Sequence, residues 1–387
     1  MAYEWSLMND AITSADRAKL ARFILDADRF TAGPKVAEFE QEWNKWLGSK
    51  YSLFVSSGST ANSLLISAWK EKCGLWDGAK VILPACTWVT NVGPVLQAGL
   101  QPIFCDINLN DFSFDINKLK DIAYTDPDVV GIFVTHLLGY PAQVEKIREI
   151  FPTISIMEDV CESHGCRLKD YSRAGVYDVG GTFSFYFGHH MTTIEGGMVS
   201  TNDEELYDLM RMKRSHGLAR ESHRFQEYAD QYPEIIPQFL FMTDGYNFRS
   251  TEINAVLGLS QLSRLDNNID NRNQNYRQYH KLISAHPDLF YIPDNHSRIS
   301  NFSFPFICRS KKTYQNLIKL FDEYRIEYRP VVSGNLLKQP FLQDYDVTAS
   351  VPYANVLHDT GLYIGNSQFV GKKHLTMLSE IIDRITS

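Results

Sequence analysis

From about residue 50 to residue 200, short runs of β-branched and aromatic residues recur between polar stretches: YSLFVSS, KVILPAC, QPIFCDI, VVGIFVTH, TISIMEDV, GTFSFYF and GMVST. Between several of them lie segments whose apolar positions return every three or four residues, notably STANSLLISAWKEK and QVEKIREIF, the period of an amphipathic helix. Strands alternating with helices predict an α/β domain with a mainly parallel sheet covered on both faces, and the late, closely spaced strands suit antiparallel pairing.

Residues 251–284 contain few helix breakers and keep a helical period, which predicts one long helix leading out of this domain. Beyond it the pattern changes. ISNFSFPFIC and IEYRPVV read as strands, KKTYQNLIKLFDEY and KKHLTMLSEIIDRI as helices, giving a smaller α/β domain built partly on an antiparallel sheet. The 387 residues exceed the roughly 250–300 at which single cores stop growing. Two domains are therefore expected: 1–284, including an N-terminal helical segment and the long connecting helix, and 285–387.

With 44% hydrophobic residues and 13% aromatic ones, and no low-complexity tract, a large core is affordable and disorder is not expected. A net charge of −8 without a dense Lys/Arg run argues against a nucleic-acid partner. The N-terminus lacks a signal-peptide pattern, and no apolar run reaches membrane-spanning length, so a soluble cytoplasmic protein is expected. The six cysteines sit mostly in apolar, strand-like contexts that suit reduced, buried thiols. Cys161 and Cys166 bracket His164, but no second ligand pair accompanies them, and no metal site is expected.

Ligands of open α/β sheets collect at the carboxyl ends of strands. Three candidate stretches fall there. Ser56-Ser57-Gly58-Ser59-Thr60 follows a strand and opens a helix, so its hydroxyls and free N–H groups suit a phosphate, or simply an N-cap. Trp88 can stack on a flat ring or fill a core. An acid at the end of TISIMED can hold a protonated ring nitrogen, or can cap a turn.

The order of these stretches carries more than any one of them. SSGSTAN, PACTWVTN, EDVCESHG, TFSFYFGHH with IEGG, and GYNFRSTEINAVLGLSQL together resemble the sugar aminotransferase branch of the aspartate aminotransferase superfamily, the DegT family, over most of the chain. The resemblance implies the aspartate aminotransferase-like fold, that of type I pyridoxal-phosphate enzymes. It further implies that Gly58, Ser59 and Ser184 contact the cofactor phosphate, that Trp88 lies on the pyridine ring, and that Asp159 pairs with the ring nitrogen. Glu162 would sit near the phenolic oxygen, where relatives often carry Gln; an ionised Glu would repel a phenolate. Asn247 would reach the cofactor phosphate of a neighbouring subunit, which implies a homodimer with shared active sites.

The family's lysine, which normally holds the cofactor covalently and shuttles protons, falls at His189, six residues before Glu195. Lys169 and Lys213 lie outside the motif and read as surface charges. An imidazole cannot hold the cofactor but suits proton transfer near neutral pH. The substitution resembles the sugar 3-dehydratases, in particular those acting on GDP-4-keto-6-deoxymannose. That resemblance implies pyridoxal or pyridoxamine phosphate as cofactor, L-glutamate as amine donor, a GDP-sugar substrate, His189 as acid and base, and His190 as packing. His216, Arg249 and Arg329 are substrate candidates, with a helix end or an interdomain ion pair as their plain alternatives. A CDP-sugar type with an iron–sulfur cluster and a reductase partner is not expected, because no C-x-C or C-x-x-C grouping occurs. An aminotransferase and a non-catalytic cofactor-binding protein are the remaining alternatives.

Overall fold

The computed structural model describes residues 3–386. Each predicted apolar run of the first half forms a strand: β1 (Tyr51–Val55), β2 (Lys80–Pro84), β3 (Gln101–Cys105), β4 (Val129–Thr135), β5 (Ser155–Asp159), β6 (Gly180–Ser184) and β7 (Gly197–Thr201). They form one sheet in the order β1-β7-β6-β5-β4-β2-β3. β7 runs antiparallel to both its neighbours, and the pairings among β2 to β6 are parallel. Helices cover both faces, so β6 and β7 are buried along their whole length, and their sequences show no polar-out alternation, only small, apolar and hydroxyl side chains.

The long helix expected over 251–284 is two helices, Glu252–Leu262 and Leu265–Ser284. Asp16, buried near the N-terminus, accounts for the break. Its carboxylate takes hydrogen bonds from Ser260 Oγ at 2.5 Å and from Arg264 Nη1 and Nη2 at 2.9 and 2.5 Å, which turns the chain at Arg264. The acid and the break lie about 250 residues apart, so helical periodicity alone does not reveal the interruption.

A second sheet, β10-β11-β9-β8, is antiparallel throughout: β8 (Phe290–Tyr291), β9 (Ser303–Cys308), β10 (Tyr328–Pro330) and β11 (Gly361–Gly365). Helices Lys311–Glu323 and Lys372–Thr386 match the predicted ones. The N-terminal segment also packs here, with Trp5 Nε1 donating to the Gly365 carbonyl at 2.9 Å and the Trp5 ring set edge-on against Phe304. Among the described residues, no helix is long and apolar enough to cross a membrane.

Candidate active site

The carboxyl ends of β1, β2, β5 and β6 open on the same edge of the large sheet. After β1, Ser57 caps helix Gly58–Lys72 reciprocally with Thr60: Ser57 Oγ accepts from Thr60 N at 3.1 Å, and Thr60 Oγ1 accepts from Ser57 N at 3.0 Å. Gly58 lies in the angle between this helix and β6. A Cβ at position 58 would stand 2.7 Å from Ser184 Cβ and 3.1 Å from Cys161 Sγ, so only glycine lets the helix N-terminus, Ser184 and Cys161 close into one cup. Gly58→Ala is expected to push these elements apart, cost about 1–3 kcal/mol and weaken phosphate-ester binding. Thermal melts with and without pyridoxal phosphate test this, and a ligand-induced stabilisation equal to that of the parent chain would contradict it.

Asp159 ends β5 and is buried. Its Oδ2 accepts from Asn62 Nδ2 at 3.0 Å and Asn91 Nδ2 at 2.9 Å, and its Oδ1 accepts from Cys161 N at 2.9 Å. Asn62 is held in turn by Thr182 Oγ1 at 2.5 Å, and Asn91 by Thr87 Oγ1 at 2.9 Å. Every donor aimed at Asp159 is neutral, so the carboxylate is fixed in direction without its charge being cancelled, which suits a partner that brings a proton. Sequence reasoning missed Asn62 and Asn91. Their only signal is an amide among the apolar positions of STANSLL and at the end of TWVTN.

Trp88 precedes helix Val89–Gln97 and leaves 54% of its surface open, unusual for so large a ring at a sheet end. The adjoining Thr87 carbonyl is braced by Ser333 Oγ at 2.6 Å. Glu162 accepts the Leu138 N–H at 3.0 Å. Burial pushes its carboxyl up to about 7 against that hydrogen bond, with the charge of Asp159 adding to the rise.

His189 follows β6 in a loop pinned by helix Glu252–Leu262. Gln261 takes the Thr192 N–H at 3.1 Å and donates to the Thr192 carbonyl, while Asn254 Nδ2 donates to the carbonyls of Thr193 at 2.6 Å and Glu195 at 3.0 Å. The His189 ring is half-buried, and its Nδ1 is shut off from solvent without a hydrogen-bond partner. Burial, and then the Arg272 charge, lower its pKa to about 3. The resting imidazole is therefore neutral and holds a lone pair across the neutral pH range. His190 is fully buried and meets the Ser300 carbonyl through Nε2 at 3.2 Å.

The remaining candidates separate into two groups. His216, Asn247 and Arg249 share one exposed patch beside Val55: Asn247 bridges to Ser215, Arg249 bridges to Val55 and donates to Asn247 Oδ1 at 3.1 Å, and His216 N donates to the Tyr246 carbonyl. His216 holds φ 67°, a left-handed conformation uncommon outside glycine. Arg329 lies elsewhere, on β10 opposite Tyr363, whose phenol feels both Glu162 and Arg329. Ser59 is exposed on the first turn of its helix. Lys213 is not the surface charge expected: it is buried and ion-paired to Glu71 at 2.6 Å and to Asp244, because the helix Glu204–Arg214 turns it under the loop that carries Asp244. Lys169 is exposed. Among the described residues, no group of three or more His, Cys, Asp or Glu side chains could hold a metal ion.

A family model described as the DegT/DnrJ/EryC1/StrS aminotransferase family matches residues 11–382. The chain belongs to this family. Among DegT-family relatives, it is 36% identical over 375 residues to a GDP-4-keto-6-deoxy-D-mannose 3-dehydratase of Yersinia pseudotuberculosis, covering 93% of this chain and 94% of that one. A solved structure of the E. coli GDP-4-keto-6-deoxy-D-mannose-3-dehydratase with bound hydrated PLP superposes with a TM-score of 0.92 at 32% identity, over 99% of this chain and 100% of that one. A second structure of a GDP-4-keto-6-deoxymannose-3-dehydratase, with a trapped PLP-glutamate geminal diamine, superposes with a TM-score of 0.89 at 31% identity, over 98% and 100%. The architecture is the aspartate aminotransferase-like fold expected of the DegT family.

Proposed function

We propose that this chain is a pyridoxal-phosphate-dependent 3-dehydratase that removes the C3 hydroxyl of GDP-4-keto-6-deoxymannose with L-glutamate as amine donor, in a dideoxysugar pathway of the cytoplasm. The observation that carries the reading is His189: a half-open, neutral imidazole on the loop where the DegT family places its lysine. The 3-dehydratase relatives and the structures with cofactor and glutamate support it.

The residues present fit a flat, phosphorylated heteroaromatic ring. A Cβ-free floor at Gly58 opens a helix N-terminus to a phosphate, Ser59 and Ser184 line it with hydroxyls, Trp88 offers an open indole face, and Asp159 offers an uncompensated carboxylate. When bound, pyridoxal phosphate supplies an electron-accepting ring and, after glutamate, an amine for the C4 ketone. Asp159 holds a proton on the ring nitrogen, and Asn62 and Asn91 keep it aimed. With the cofactor bound, His189 would take at Nε2 the proton released beside the cofactor ring and would return it to the C3 hydroxyl, which leaves as water.

Glu162 donates to the phenolic oxygen while it carries its proton. Its pKa near 7 sets the sign: below 7 the carboxyl donates, and above 7 the anion repels a phenolate. Cofactor affinity is therefore expected to fall as pH rises past 7, by up to roughly tenfold per unit. In Glu162→Gln, which donates at every pH, the profile should be flat. Absorbance titration from about pH 6 to about pH 8.5 measures it, and an equal slope in both proteins would contradict this assignment.

His216, Arg249 and Arg329 are proposed to bind the GDP-sugar, the first two alongside Asn247 as part of a neighbouring subunit's site. The exposed Ile235, Ile236, Phe239 and Phe241, close to this patch in the chain, support a homodimer, since soluble monomers seldom leave such apolar groups together. Neither an iron–sulfur reductase nor nucleic acid is part of the proposal. We divide the chain into domains 1–284 and 285–387.

The test has two arms. Incubation of the cofactor-loaded protein with L-glutamate should release one 2-oxoglutarate per site, and borohydride should add no cofactor mass to the protein, since no lysine is available to hold it. A borohydride-fixed adduct, or no 2-oxoglutarate, would overturn the reading.

A further inference from the structure

Behind His189 the fold seals in more nitrogen atoms than it pairs. Nδ1 of His189, Nδ1 of His190, both ring nitrogens of His164 and Nε of Arg272 are all buried without a hydrogen bond of ordinary geometry, although the Ser184 backbone lies near enough to His164 to favour its protonated ring. The rings are neighbours. His164 lies 6.0 Å from His189 and 5.4 Å from His190, centroid to centroid. Trp43, Phe183 and Phe185 surround His164, and Phe302 packs on both other imidazoles. Arg272 spends Nη1 on the carbonyls of Phe302 and Asn366 and Nη2 on that of His189 at 3.4 Å, and it forms no ion pair among the described residues.

Leaving such buried polar atoms dry and unpaired is destabilising. Native interiors meet such groups with ordered water, which needs two to four polar partners. The three imidazoles are near enough to one another for a single water to accept from one ring and donate to another.

We propose that His164 is a positioning residue for His189, joined to its Nδ1 by an ordered water that His190 Nδ1 shares. The proton assignments follow from the surrounding bonds. Ser300 Oγ gives its hydrogen to the His164 carbonyl at 2.5 Å, so Nε2–H of His190 must be the donor toward Ser300, and His190 Nδ1 is a lone pair that accepts from the water. The unprotonated nitrogen of His164 takes the water's second hydrogen. The water oxygen then receives Nδ1–H from His189, and the His189 lone pair is left on Nε2, toward the open side. The other charged and titratable groups facing this set are Arg272, from helix Leu265–Ser284, and Tyr186, whose ring lies 6.3 Å from that of His189.

The inference rests on the proposed function only for what Nε2 then does, because the tautomer belongs to the chain and is read without substrate. Long-range ¹⁵N–¹H correlation NMR of the full chain, with and without pyridoxal phosphate, is expected to show His189 as the Nδ1–H tautomer. In His164→Phe the ratio should move at least about tenfold toward Nε2–H, while His164→Gln, whose amide can still hold the water, should restore it. Melting temperature reports whether each variant is folded. An Nε2–H tautomer in the parent chain overturns the proposal whether or not any variant folds. So does an unchanged His189 signal in folded His164→Phe. If the tautomer holds but no GDP-sugar is dehydrated, the functional reading fails and this inference stands.

Discussion

His189→Asn is expected to lower dehydration and the glutamate half-reaction by roughly 10²- to 10⁴-fold, the usual contribution of a positioned acid or base. Asparagine keeps a polar group of similar reach but cannot carry a proton at any working pH. Rescue by another residue is not expected: Lys213 is committed to Glu71 and Asp244, and Lys169 is exposed on the loop after Leu168. Affinity for the nucleotide sugar should change only a few-fold, because the proposed sugar-binding residues His216, Arg249 and Arg329 are untouched. Titration calorimetry beside single-turnover kinetics separates the two quantities. A variant that keeps near-normal turnover would remove His189 from the chemistry.

Asp159→Asn is expected to have the second largest effect. The carboxylate receives only neutral donors, so its charge is reserved for a cationic partner, and removing one side of a buried charge pair costs about 3–5 kcal/mol, roughly 150- to 5,000-fold. The variant should fold, since an asparagine carbonyl can accept from the same amides. The loss should appear in the rate of 2-oxoglutarate release with glutamate, and a rate within about threefold of the parent would contradict a role in holding the ring nitrogen.

Local patterns made the large sheet legible: seven apolar runs became seven strands, and Asp159, Trp88, Ser184 and His189 stand at strand ends or in the loops that follow them. What escaped detection rests on contacts between distant residues. Asn62 and Asn91 reach Asp159 from 97 and 68 positions away. The break after Leu262 depends on Asp16. β11, central to the second sheet, starts at the residue after a helix ends, so no loop sets its run apart in the sequence. Arg272 reads as an ordinary helix-surface charge in DNRNQNYRQY, yet it is buried behind His189, because three backbone carbonyls converge on it from other elements. The strain at His216 likewise belongs to the folded turn with Gly217 and has no signature in RSHG.

The proposed role of an imidazole in place of the DegT-family lysine is to direct the reaction to loss of the C3 hydroxyl rather than retention of nitrogen at C4. The most direct test is a mass-spectrometric time course of the purified protein with pyridoxal phosphate, L-glutamate and GDP-4-keto-6-deoxymannose, following the sugar, 2-oxoglutarate and ammonia. The expected result is a 3-deoxy-4-keto GDP-sugar, formed only with glutamate and accompanied by equal ammonia. Accumulation of a 4-amino GDP-sugar without ammonia would contradict the account.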